Sequence, residues 1–350
     1  MSLKRLEPDD FVLSSDSVTT PMWTNSVPTL SSFYTSSIQE VGTSGQFYLS
    51  IYQTSSTDDS AQIQFDIAYA DSKGSGSIYY NSVVPGKTAT RSTYGQFRNL
   101  VLEDERVNFI VGQGTVGSTT DPCSAVTSST AVLMDHFWVI NIERANYKES
   151  IFPGSLNLFL SGSGGMLKLT DNSNDVSVNT YLGSSRAFQL VSGSNGSGVS
   201  GTGGYTSNSG SYGLLLPELG VLLLNPYAIN DSIQLAPSRS NNAEGFNNRI
   251  LYNAMVRGGN FTLNSQETIS SDYIFVRARN SEFNYTENPS FISGSTGEII
   301  YDNFINNPVT YITTVGLYND ANDCLAVAKM SRPLPKNFTK EALVRVKLDF

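Results

Sequence analysis

Apolar and polar residues alternate with period two over much of the chain, which is typical of half-buried β-strands. The alternation is clear in residues 47–52 and 62–67, and the polar run 54–60 between them predicts a β-hairpin. Further segments with this period lie at 156–160, 273–279, 310–318, 324–329 and 343–348. Because the turn-forming cluster 319–323 separates two of them, residues 310–329 predict a second hairpin.

Two nearly continuous apolar segments interrupt this alternation. Residues 131–142 are rich in β-branched and aromatic side chains and predict a strand buried on both faces. Residues 214–224, broken by Pro217 and Gly220, predict a strand or a β-turn-β unit. Helical periodicity is sparse, and its best candidate is Ser92–Leu102. The predicted fold class is therefore mainly β, with antiparallel β-sandwich-like domains, few short helices and long Gly/Ser-rich loops.

Shifts in composition predict the domain organisation. Residues 1–40 form a polar, proline-interrupted segment with isolated apolar side chains, which predicts an extended N-terminal arm on its own chain or on a neighbouring subunit. Residues 41–183 and 214–350 predict β-rich domains, and the Gly/Ser-rich segment 184–213 predicts a loop or linker between them. The alternative is one continuous domain that carries 184–213 as a surface loop. Residues 71–77 predict a shorter flexible loop.

Charge and cysteine content narrow the functional class. The chain has 22 Lys and Arg against 31 Asp and Glu, and this acidic balance disfavours a nucleic-acid partner, whose phosphates need basic residues. Charged residues are only 15% of the chain, below the roughly 25% of typical soluble domains, which favours a protein packed against other subunits. The two separated cysteines, Cys123 and Cys324, fit synthesis in a reducing cytoplasm. Neither a signal peptide nor a membrane-spanning segment is predicted.

Candidate chemistry is scarce. His136 is the only histidine, and its place inside an apolar segment favours a structural role over a catalytic one. The oxygen-rich run Asp171–Asp175 lacks the glycine and the distant glutamate of a calcium loop, so a solvated turn is favoured over an ion site. Glu103–Glu105 is a solvated charge run rather than a convergent carboxylate pair. The sequence therefore predicts no catalytic, cofactor-binding or metal site, and no enzyme.

Aromatic side chains in the polar segments are the predicted interaction residues. In strands such side chains more often fill cores and interfaces than bind sugars. The N-terminal arm and the Gly/Ser-rich segment, where a core strand is not predicted, contribute Trp23, Phe33, Tyr34, Tyr205 and Tyr212.

The C-terminal part of the chain resembles a module of tailed-bacteriophage virion proteins. The residues that carry the resemblance are Phe283–Phe291, the run TYITTVGLYN from Thr310, and LAVAK at 325–329. In that module a strand, a polar turn and a second strand form a hairpin in tail, fibre-attachment or baseplate subunits. Further similarity lies at 65–69 (FDIAY), 74–77 (GSGS), 93–102 (TYGQFRNLVL) and 138–160. The whole chain is similar to large structural proteins of T-even-like contractile-tailed phages, including those that infect cyanobacteria.

The resemblance implies a non-enzymatic subunit of the virion, located in the tail baseplate after synthesis in the host cytoplasm. Its partners would be other virion proteins and copies of itself, with no nucleic acid and no membrane insertion. Three alternatives stay open: a receptor-binding tail fibre or adhesin, a neck or collar protein, and a cell-wall-degrading enzyme carried on the tail. The last would need a convergent carboxylate pair, for which the sequence offers no candidate.

Overall fold

The computed structural model describes residues 10–21, 33–35, 47–84, 86–103, 108–111, 132–147, 149–176, 180–240, 243–285 and 289–349. With 43% strand, 16% helix and a large antiparallel curled sheet, it confirms the predicted mainly β, sandwich-like fold class. The strands are β1 Phe11–Pro21, β2 Tyr34–Thr35, β3 Tyr48–Tyr52, β4 Ile63–Asp71, β5 Phe109–Val111, β6 Val132–Met134, β7 His136–Ile142, β8 Ser150–Ile151, β9 Asn157–Gly162, β10 Gly165–Asp171, β11 Thr180–Leu182, β12 Ser185–Ser194, β13 Ser197–Gly198, β14 Gly213–Leu216, β15 Val221–Leu224, β16 Phe261–Thr262, β17 Ser265–Ala278, β18 Thr310–Tyr318, β19 Cys324–Lys336 and β20 Ala342–Asp349. The helices are α1 Ala89–Leu102, α2 Pro226–Ile233, α3 Phe246–Gly258 and α4 Asp302–Asn306.

The chain divides into two compact units. The central unit is Thr20–Glu267, and the terminal unit joins Met1–Thr19 to Thr268–Phe350. These boundaries differ from the predicted ones. The segment 184–213 does not separate two domains, because β12 and β14 pair with each other inside the central sheet. The first strand of the predicted arm, β1, pairs with β17 in the terminal unit.

The central unit is built on one antiparallel sheet with the strand order β16-β9-β10-β12-β14-β15-β7-β4-β3-β2, where β11 and β13 also pair with β12. The predicted first hairpin is confirmed as β3 and β4, which pair with Tyr48 opposite Ala68 and Tyr52 opposite Ile63. The segment 214–224 is a β-turn-β unit, because β14 pairs with β15, with Gly213 opposite Leu224 and Leu216 opposite Val221.

Both faces of this sheet are buried. Along β7, Trp138 and Ile140 join one apolar cluster, whereas Phe137 and Val139 join the other. Such alternation places the two clusters on opposite faces, which explains why the sequence of β7 is nearly continuously apolar. Each fully buried apolar side chain of this size contributes roughly 1.5–3 kcal/mol relative to exposure.

Helices cover the two faces. The predicted helix is confirmed as α1, which begins at Ala89 and packs Tyr94 and Val101 into the cluster that contains Phe137. Helices α2 and α3 pack into the other cluster and were not predicted. Asn225 caps α2 by accepting a hydrogen bond from the Tyr227 amide, and Pro226 occupies its first turn, where its missing N–H costs nothing.

The terminal unit contains two small sheets. In the first, β17 pairs with β20, with Ser271 opposite Asp349 at one end and Ala278 opposite Ala342 at the other. Strand β1 pairs with the other side of β17. The second is the β18–β19 hairpin, in which Thr310 lies opposite Lys336 and Tyr318 lies opposite Cys324. It confirms the second predicted hairpin. Its turn closes with Asn322 in the left-handed region (φ 63°), a conformation that Asn tolerates better than most residues.

Candidate functional site

The β18–β19 hairpin exposes large apolar side chains on one face and only half buries those on the other. Leu325 and Val327 are 68% and 62% exposed, and Tyr311 is 64% exposed. The opposite face, with Val315 opposite Ala328 and Leu317 opposite Ala326, is only half buried. A two-stranded hairpin in water is marginal on its own and gains stability when a further layer covers its apolar face.

The β1-β17-β20 sheet carries two different surfaces. On one face Tyr273 lies between two cations, with Arg345 Cζ 5.6 Å and Lys347 Nζ 5.9 Å from its ring centre. On the other face Ile274, Val276 and Val344 are half buried. Neither face has the depth of burial found in the central sheet.

A comparison of the two units identifies the terminal unit as the candidate assembly surface. Among the described residues of the terminal unit, only Ala342 and Val346 are buried apolar residues. The terminal unit supplies 14 of the 28 large hydrophobic side chains that are exposed in the described part of the chain, although it is the smaller of the two units. This excess of exposed over buried apolar side chains favours a surface that binds another protein.

The four predicted interaction residues that the structure describes lie in different surroundings. Trp23 lies outside the described residues. Phe33 is half buried against Phe65, and Tyr34 on β2 is 49% exposed. Tyr205 is half buried, and its burial raises its pKa to about 12. Tyr212 is fully buried, and its hydroxyl bonds Thr206 and Ser232, so it packs inside the central unit instead of lying on its surface.

A second candidate is the polar group around the only histidine, which we call the His136 cluster: Tyr69, Asp71, Asp135, His136, Tyr227 and Arg239. His136 Nδ1 lies 2.6 Å from Asp135 Oδ1, and the Tyr227 hydroxyl donates to the same oxygen at 2.8 Å. Arg239 reaches Asp135 Oδ2 at 3.2 Å and Asp71 Oδ2 at 2.9 Å. The contact with Asp71 is an ion pair by distance, since no described residue offers Asp71 Oδ2 a well-aligned hydrogen-bond donor.

The electrostatics of the His136 cluster favour a fixed charge arrangement. Burial by itself would raise the pKa of Asp135, but hydrogen bonds from His136 and Tyr227 and the charge of Arg239 hold that pKa well below its ordinary value. Burial and the neighbouring Asp135 raise the pKa of Tyr227 to about 12. The pKa of Tyr69 is also raised, chiefly by burial, and its hydroxyl has no hydrogen-bond partner in the described part of the chain.

The His136 cluster anchors loops at the end of β4. Asp71 Oδ1 accepts hydrogen bonds from the amides of Lys73 and Ser75, and Glu244 accepts from the Ser77 hydroxyl and the Ile78 amide. Ser75 and Ser77 are buried, so the segment predicted as a flexible loop is held in place by two carboxylates. The carboxylate of Asp135 is occupied by three side chains, and among the described residues no serine, threonine or cysteine is hydrogen-bonded to His136. This arrangement supports the structural role predicted for His136.

Asp135 gives the central unit a specific pH dependence. Because its folded pKa lies below the unfolded value of about 3.9, its stabilising contribution is present above about pH 4 and is lost as the pH falls towards the folded pKa. At pH 7 we expect Asp135→Asn to lower the free energy of unfolding by roughly 1–3 kcal/mol. The difference from the wild type should narrow in urea unfolding below pH 4. The exposed control Asp59→Asn should change little, and a deficit of Asp135→Asn that is unchanged at low pH would contradict this reading.

The sequence offers three further chemical candidates: the run Asp171–Asp175, the run at 103–105 and the two cysteines. Asp171 is buried and accepts hydrogen bonds from the amides of Gly154 and Ser173, and burial raises its pKa. These donors occupy the oxygens that a cation would need, so the run Asp171–Asp175 is a closed turn. Among the described residues no three His, Cys, Asp or Glu side chains are grouped as metal ligands, and Cys324 is exposed. Of the run at 103–105 only Glu103 is described, and Cys123 lies outside the described residues.

No helix in the described ranges is long and apolar enough to cross a membrane. No family model, curated protein or solved structure matches this chain.

Proposed function

We propose that this chain is a non-enzymatic structural subunit of a tailed-bacteriophage virion, in the tail baseplate, and that it assembles through the strands of its terminal unit. The observation that carries the proposal is the contrast between the two units. The central unit buries its apolar side chains on both faces of its sheet, whereas the described apolar side chains of the terminal unit are nearly all exposed or only half buried.

The resemblance to phage virion proteins adds the biological setting. Its most distinctive part, Thr310–Lys329, falls within the β18–β19 hairpin, where Tyr311, Leu325 and Val327 are 64%, 68% and 62% exposed. The similar segments at 65–69 and 93–102 fall in β4 and α1, which form the core of the central unit. The central unit would thus be a stable body, and the terminal unit would provide contacts to neighbouring virion proteins.

Purified virions of the phage that encodes the chain provide the test, by quantitative mass spectrometry. The wild-type chain should be present in several copies per particle. Leu325→Asp/Val327→Asp should lower its incorporation by at least about tenfold, because a carboxylate in a covered apolar surface costs more than the 1.4 kcal/mol of a tenfold change.

Val83→Asp/Val84→Asp is the matched control. Val83 and Val84 are 85% and 71% exposed, as apolar as the hairpin pair, but lie in the central unit. This control should be incorporated normally. Absence of the wild-type chain from particles would refute the proposal, and equal incorporation of both variants would refute the assembly surface.

A further inference from the structure

Strand β1 is an edge strand. It ends the order β1-β17-β20, and no other described strand pairs with its outer side. Val12–Val18 are all exposed, with Val12 at 62% and Val18 at 49%. Side-chain contacts hold β1 and the preceding Asp10 on β17 and its end: Ser15 Oγ donates to Asp272 at 2.6 Å, and the buried Asp10 accepts from Arg279 Nε at 3.0 Å and from Arg277 Nη2 at 3.4 Å. The outer edge is therefore presented as a ready-formed strand.

This edge lacks the features that normally prevent pairing. Natural edge strands are commonly protected by lysines, arginines or prolines. The opposite edge of the sheet, β20, carries Arg345 and Lys347, and β19 contains Pro333 and Pro335. Between Val12 and Thr20, in contrast, β1 has a single charged residue, Asp16, and no proline. Pro21 ends the strand, and the nine residues before it offer an edge with one charge that can act as a template for a further strand.

The sequence of β1 is complementary to itself in one antiparallel register. Along a strand, every second residue directs its N–H and C=O groups to the same edge. When the same edge of two copies pairs antiparallel, each residue therefore lies opposite itself or opposite a residue an even number of positions away, and the two-fold axis passes through one residue of each copy. Centring on Asp16 would place two carboxylates opposite each other, and centring on Ser14 would place Val12 opposite Asp16. Centring on Ser15 places Val12 opposite Val18 twice and Asp16 opposite the hydroxyl of Ser14. Cross-strand β-branched pairs of this kind are favourable, and like charges are not.

We propose that β1 pairs with β1 of a second copy of this chain, antiparallel and centred on Ser15, so that the two sheets join across a two-fold axis. Such an interface is isologous, since each copy contributes the same strand. A second copy of this chain is thus the partner of one part of the assembly surface, β1. The biological role of this pairing rests on the proposed function.

The test is the molar mass of the purified full chain by light scattering. The wild type should have twice the 38.0 kDa mass of one chain. Val12→Asp and Val18→Lys should each be monomeric, because each places a charge opposite a valine at both ends of the register. When the two variants are mixed, the dimer should return: one end then joins the new carboxylate to the new ammonium, and the other end keeps the native valine pair.

Both positions are exposed, so circular dichroism should show unchanged folding of both variants. A monomeric wild type, an assembly that neither substitution affects, or variants that do not recover a dimer on mixing would overturn the proposal. The outcome is independent of the virion test. A monomer found in particles removes only the pairing, whereas a dimer absent from particles removes only the proposed function.

Discussion

Replacing Trp138 with alanine is expected to lower the free energy of unfolding of the central unit by about 3–5 kcal/mol, the range measured for large aromatic residues in cores. Trp138 is fully buried in β7, at the centre of the sheet, and packs on the face covered by α2 and α3. Its indole Nε1 donates to the Asn247 carbonyl at 2.9 Å, which ties α3 to the sheet. The substitution removes both the packing and this bond. Total stabilities of domains are about 5–15 kcal/mol, so the variant would be near its unfolding threshold.

Leu133→Ala is the control for this substitution. Leu133 lies in β6, close in sequence to Trp138, but its side chain is 50% exposed. Its loss should change the free energy of unfolding by no more than about 0.5 kcal/mol. Urea unfolding followed by circular dichroism would measure both variants. Similar destabilisation by the two would contradict the assignment of this face of the sheet as the main core.

The second large effect is expected at Arg239. Its side chain is about one-third exposed and neutralises Asp71, whose side chain is fully buried. Removing one partner of a buried ion pair leaves an uncompensated charge, which costs roughly 3–5 kcal/mol when both groups are buried. Because solvent reaches Arg239, we expect Arg239→Met to cost less, about 2–3 kcal/mol.

A double variant separates the charge from the packing. Asp71→Asn in the Arg239→Met background removes the uncompensated carboxylate and keeps an oxygen for the amides of Lys73 and Ser75. It should therefore be more stable than Arg239→Met by about 1–2 kcal/mol, a coupling typical of residues in contact. Asp71→Asn alone is measured as well. If the losses of unfolding free energy of Arg239→Met and Asp71→Asn simply add in the double variant, the ion pair does not hold the loop at 72–78.

Much of the central fold could be predicted because it depends on short-range patterns. The period of two in β3 and β4 and the apolar run of β7 each identify their strand. Other local signals were present but were missed. Asn195–Gly196 is a two-residue turn with both φ angles positive, which joins β12 to β13 inside a segment interpreted as a linker. Asn225–Pro226, directly after the predicted segment 214–224, is a local signal for the start of a helix.

Other features could not be predicted because they depend on contacts between distant residues. The terminal unit joins the two ends of the chain through the pairing of β1 with β17. Arg239 pairs with Asp71 from a loop far along the sequence, and nothing in the residues around Asp71 indicates that partner. The candidate assembly surface was missed for the same reason. Alternation in β18 and β19 predicts strands, but only the fold shows that their apolar side chains stay exposed or half buried among the described residues.

The central claim is that the terminal unit is covered when the chain is assembled. Hydroxyl-radical footprinting of tyrosines, compared between the free chain and purified virions, tests it most directly. Tyr311 and Tyr301 of the terminal unit are exposed in the free chain, and Tyr79 and Tyr48 are equally exposed controls in the central unit. We expect oxidation of Tyr311 and Tyr301 to fall severalfold in the particle while oxidation of Tyr79 and Tyr48 stays close to its free value. Oxidation of Tyr311 and Tyr301 at the free-chain rate in the particle would contradict the claim.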